Sequence, residues 1–92
     1  MNEYEAIFIL DPDNEDKIKE LQGSITRAIT GSNGSVTKED NWGKKKLPFP
    51  IKKKKEGIYY KLDFSADPSQ ISLLNNNYKL NGDILRVMIT RK

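Results

Sequence analysis

Ninety-two residues, 36% hydrophobic and 32% charged, suit one modest core, so a single domain spanning 1–92 is expected. No run approaches the ~20 apolar residues of a membrane span, the acidic start Met1-Asn2-Glu3-Tyr4-Glu5 is unlike a secretory leader, and the absence of cysteine excludes disulfides and fits the cytoplasm. With no histidine either, the commonest general base and zinc ligand are missing, which argues against an enzyme and leaves no cofactor, metal or small-molecule substrate to expect.

In chain order, Tyr4, Ala6, Phe8 and Leu10 alternate with Glu5, Ile7 and Ile9, the period of a strand. Asp11-Pro12-Asp13-Asn14 breaks it, and either Asp13 or Asn14 can cap the next helix. There Ile18, Leu21, Ile25, Ala28 and Ile29 form one apolar stripe, stopped by Gly31-Ser32-Asn33-Gly34. A second strand is expected from Ser35 through Lys46, with a bulge at Gly43 and Pro48 and Pro50 marking it as an edge. Lys52 to Gly57 is read as the reversal. Ile58, Tyr60, Leu62 and Phe64 then alternate with Tyr59, Lys61 and Asp63 in a third strand. Asp67-Pro68-Ser69-Gln70 is a helix start, with Ile71, Leu74 and Tyr78 inward. After Asn81-Gly82, Leu85, Val87 and Ile89 are expected to face the core and Arg86, Met88 and Thr90 the other side.

The order is βαββαβ. Two right-handed crossovers place both helices on one sheet face, giving an α+β ferredoxin-like two-layer sandwich with strands one and three central. Its other face is uncovered, and on it Ile7, Ile9, Tyr59 and Met88 are candidates for contact with a partner. The alternative is that such isoleucines serve β-propensity alone. Arg86 on this face either anchors a phosphate or pairs with Glu3 or Glu5.

Residues 42–57 carry most of the functional signal. Seven of the thirteen lysines fall there against one acid, Glu56, so the window holds +6 in a chain of +3 and the remainder sums to −3. A positive field on a mildly acidic body suits a polyanion. Leu47, Phe49 and Ile51 between the lysines give the segment something to pack. The plainer reading is a solvated lysine-rich hairpin.

Tyr4-Glu5, Asp11-Pro12, the block from Trp42 to Ile51, Gly57 with the aromatic strand after it, and Arg86-Val87-Met88 together resemble the bacterial small-subunit ribosomal protein family called S-six. The match runs along essentially the whole chain in order and spacing. The family pattern differs at Pro48, where a small residue is usual, at Phe49, where tyrosine is usual, and in having arginines where this chain has lysines. The resemblance implies a ferredoxin-like ribosomal constituent, located in the cytoplasm on the ribosome. It would bind the central domain of small-subunit ribosomal RNA beside a neighbouring protein, S-eighteen. Lys44, Lys45, Lys46, Lys53, Arg86 and Arg91 are the expected RNA-binding residues, acting by phosphate neutralisation. A general single-strand RNA reader would want exposed aromatics on both central strands, and strand one offers isoleucines instead. A small phosphatase on the same fold would want a glycine-rich phosphate cradle, and Asp11-Pro12-Asp13-Asn14 is acidic and lacks glycine.

Overall fold

Asn2–Leu10 forms a strand, β1, whose alternate residues Tyr4, Ala6, Phe8 and Leu10 are buried on one face. The computed structural model describes residues 1–13 and 15–92, with Glu15 by its backbone alone. The helix α1 (Glu15–Gly31) follows and buries Leu21, Ile25 and Ile29, with Ile18 and Ala28 beside them. Of its two expected caps, Asn14 lies outside the described residues, and the Asp13 carboxylate is held by Lys54. The helix ends with Gly34 N–H donating to Ile29 C=O and Asn33 N–H to Thr30 C=O, and Asn33 takes φ 63°. That pair of bonds closes the last turn with asparagine, rather than glycine, in the left-handed position.

β2 (Ser35–Ile51) and β3 (Lys54–Ala66) form a long hairpin. α2 (Pro68–Leu80) begins as its sequence dictates: Asp67 accepts from Ser69 N–H, and Pro68 opens the helix. The Ser69 hydroxyl donates to the same oxygen. Tyr78 on α2 donates to the Ile25 carbonyl at 2.7 Å and packs edge-on against Phe8, tying both helices to β1. Burial pushes the Tyr78 hydroxyl pKa far above its usual range. The last strand is β4 (Ile84–Arg91).

The sheet order is β2-β3-β1-β4, with every neighbouring pair antiparallel, so β1 and β3 are central as expected. Three details differ from the sequence reading. β2 does not stop near Lys46 but continues through both prolines to Ile51. The reversal is therefore only Lys52-Lys53, rather than Lys52 to Gly57. Leu85 is buried, as expected, but lies outside the main core cluster, which Ile84 and Val87 enter from β4. A register shift lets Ile84 oppose Leu10 while Ile9 opposes Arg86, so Leu85 is the extra residue of a bulge and Ile84 fills the core.

Candidate nucleic-acid and partner interface

The hairpin is built by what its prolines cannot do. Lys46 pairs with Glu56 and Ile51 with Lys54, so Leu47, Pro48, Phe49 and Pro50 stand against Lys55 alone. Proline offers no N–H to a ladder, and the strand loops outward there. Phe49, 57% exposed, projects from the loop, over an open pocket of about 390 Å³ also bounded by Lys46 and Lys55.

The tip is unusual. Lys52 and Lys53 take φ 50° and 66°, the two left-handed positions of a tight hairpin turn that asparagine and glycine normally fill. Side chains then fold the tip back over the sheet end. Lys52 Nζ donates to Ile84 C=O at 3.2 Å, and Lys54 is held by Asp13 and, at 3.8 Å, by Asp11. These two aspartates raise the Lys54 pKa, the bond to Asp13 contributing most. Of the seven hairpin lysines only Lys54 meets a carboxylate; the other six have none among the described residues.

The pleat divides the lysine triplet. Lys45 lies opposite Gly57 on the uncovered face, whereas Lys44 opposite Ile58 and Lys46 opposite Glu56 lie on the helix side. Lys44 accordingly borders a groove between α1 and β2, with Ile18, Gln22 and Asn41. Lys45 sits over the Trp42 ring at 5.6 Å, and Trp42, 45% exposed, stacks on Tyr59 with the rings 16° apart. A register shift between Asn41 and Gly43, with Gly43 at φ 80°, sets Trp42 there. The bulge foreseen at Gly43 thus has a use: it aims an aromatic ring.

Read across the strands, the uncovered face has two halves. Nearest the hairpin, Trp42, Tyr59, Ile9 and Arg86 form one row, and Lys61, Ile7 and Met88 the next. From Lys61 outward the charges neutralise one another: Lys61 with Glu5 at 3.4 Å, Lys92 with Asp63 at 2.8 Å, and Lys38 with Asp40 at 3.7 Å. Lys92 holds the Asp63 carboxyl below its usual pKa. On this face, among the described residues, the hairpin half alone keeps free cations beside apolar side chains.

The expected site residues separate accordingly. Tyr59, Ile7 and Met88 are on the uncovered face and accessible, Met88 being 42% exposed. Ile9 faces that side too but is only 6% exposed, because it fills the space beside Gly57, where a Cβ would lie 2.4 Å from Ile9 Cγ2 and 3.7 Å from Leu47. Arg86 is exposed and has no carboxylate partner among the described residues, Glu5 being taken by Lys61. Arg91 pairs with Tyr4, six positions down β1 from Leu10 and so ~20 Å from the hairpin end. Trp42, Lys52 and Lys79 were not foreseen. Trp42 had a signal in the bulge glycine after it, while Lys52 and Lys79 acquire neighbours only through the fold.

No group of His, Cys, Asp or Glu able to hold a metal occurs among the described residues, and no described helix is long and apolar enough to cross a membrane. The family model described as Ribosomal protein S6 matches residues 3–91. A small ribosomal subunit protein bS6 from Desulforamulus reducens is 38% identical over all of this chain and 98% of its own length. Another from an Arthrobacter species is 40% identical, over 99% of this chain and 91% of its own. The crystal structure of 30S ribosomal protein S6 from Thermotoga maritima superposes with a TM-score of 0.93 at 28% identity, covering 99% of this chain and 87% of that one.

Proposed function

The chain belongs to the ribosomal protein S6 family, and on that premise we propose that it is fixed in the small subunit by the central domain of the ribosomal RNA, beside the protein S-eighteen. It is a structural constituent of the cytoplasmic ribosome rather than an enzyme. The observation that carries this reading is the set of six hairpin lysines without a carboxylate partner among the described residues, set beside a stacked Trp42–Tyr59 pair. Left free and clustered, these lysines attract phosphates and release counterions on binding.

Lys44, Lys46, Lys53 and Lys55 act as phosphate contacts around the hairpin, and Lys45 joins them from the uncovered face. Ile7, Tyr59 and Met88 supply the apolar surface for the protein partner, with Trp42 at its border. Ile9 supports that surface from below. Arg91, at the far end of the sheet, belongs to a separate contact. Lysine is a point charge without the planar fork of arginine, so these contacts position the chain and read RNA shape rather than base edges. Sedimentation tests the assignment: the protein should travel with the small subunit at physiological salt and leave it as salt rises. Free protein at physiological salt would contradict it.

A further inference from the structure

At the free edge of β4, three cations from distant parts of the chain line one pocket. Lys52 comes from the hairpin tip, Lys79 from the last turn of α2 and Arg86 from β4 itself. The pocket measures about 350 Å³ and its remaining walls are apolar, Leu85, Val87 and Met88 among them. No aspartate or glutamate among the described residues lines it, and none pairs with these three cations. Two backbone irregularities converge on it. The left-handed turn at Lys52-Lys53 carries lysine where glycine would be less strained, and the bulge at Leu85 displaces the strand beside Arg86. Lys52 is also held in place, its ammonium donating to Ile84 C=O.

We propose that this pocket is a phosphate site, receiving one backbone phosphate of the bound RNA. The inference rests on the RNA-binding reading above and adds to it a second contact, across the sheet from Lys44–Lys46. Three positive groups beside apolar walls repel one another, and one anion relieves all three. At about 350 Å³ the space exceeds a bare phosphate and suits a nucleotide unit.

The experiment uses the whole chain and three probes: inorganic phosphate, an octauridylate RNA with a 5′-phosphate, and hexaglutamate. Amide resonances of Ile84 to Met88 should shift with phosphate and further with the RNA, and Lys79→Gln should reduce both responses. Hexaglutamate shifting them more than the RNA does would reassign the pocket to an acidic protein and overturn the proposal, as would no shift at Ile84–Met88 with either phosphate probe. In parallel, binding to a central-domain ribosomal RNA fragment is measured against salt. Lys79→Gln should flatten the log–log slope by about one. If the wild type binds this fragment with a steep slope that Lys79→Gln leaves unchanged, the pocket assignment fails and the functional reading stands. If the wild type does not bind the fragment, the functional reading fails, and with it the claim that the phosphate is that of RNA.

Discussion

Gly57 is where the uncovered face acquires its shape. Ile9 packs into the space its missing side chain leaves, so Gly57→Ala should cost about 1–3 kcal/mol through overpacking. Gly82→Ala, with nothing within 4 Å of the added methyl, should change stability far less; urea melts of the two variants compare them. The two isoleucines of β1 should differ as well. Ile7→Asp places its charge between Lys61 and Met88 and should leave the fold largely intact while weakening partner assembly. Ile9→Asp puts a carboxylate into the tight space beside Gly57, with Arg86 opposite it, and Phe8→Ala opens a core cavity costing ~3–5 kcal/mol. Thermal melts giving Ile7→Asp a loss like that of Phe8→Ala would mean that Ile7 is core.

Two carboxylates contribute to the acid side of stability. Lys92 holds the Asp63 carboxyl below its usual pKa, and the Ser69 backbone N–H and hydroxyl do the same for Asp67. Folded pKa values below the unfolded value of ~3.9 mean that the folded state favours the charged form. Their contribution is therefore present above about pH 4 and lost as pH falls through the folded values. Asp63→Asn should flatten the decline in melting temperature on acidification.

Among the elements, helices and central strands were legible because each buries one face at a fixed period. Tyr4-Ala6-Phe8-Leu10 and Ile58-Tyr60-Leu62-Phe64 meet the helices as their alternation says, and Asp67-Pro68 starts α2 where it should. The hairpin was less legible. Pro48 and Pro50 signal a strand end locally, yet pairing resumes at Ile51, because a strand can loop past residues that cannot donate and rejoin. In β4 the alternation pattern could not distinguish Ile84 from Leu85, since both are apolar and a one-residue bulge exchanges their roles. The basic block was plain in the sequence. Its division between two faces was not, because the pleat that separates Lys45 from Lys44 and Lys46 depends on register. Nothing near Lys79 in sequence points to Lys52 or Arg86. At this scale, replacing Lys52-Lys53 by Asn-Gly should relieve left-handed strain of ~1–2 kcal/mol per residue. Loss of the Lys52–Ile84 bond offsets part of that, so a modest rise in melting temperature is expected, together with weaker RNA binding. Equal or tighter binding would show that the tip lysines do not contact RNA.

For the molecule as a whole, the cations of the uncovered face that lack a carboxylate among the described residues gather at the hairpin end, while paired charges occupy the rest of that face. Lysine-based phosphate contacts discriminate poorly between RNAs, so selectivity should come from the apolar surface of Ile7, Tyr59 and Met88 and the protein bound there. The isolated chain should bind unrelated structured RNAs nearly as well as the ribosomal site, becoming selective with S-eighteen present; a competition assay with and without it checks this. The central claim, that hairpin lysines neutralise RNA phosphates, is tested most directly by the salt dependence of binding to the central-domain RNA. With about four phosphates engaged, log affinity should fall with log salt at a slope near −3, and replacing Lys44, Lys45 and Lys46 by alanine should flatten it by roughly two. An unchanged slope in that variant would contradict the account and leave the three lysines as solvated surface.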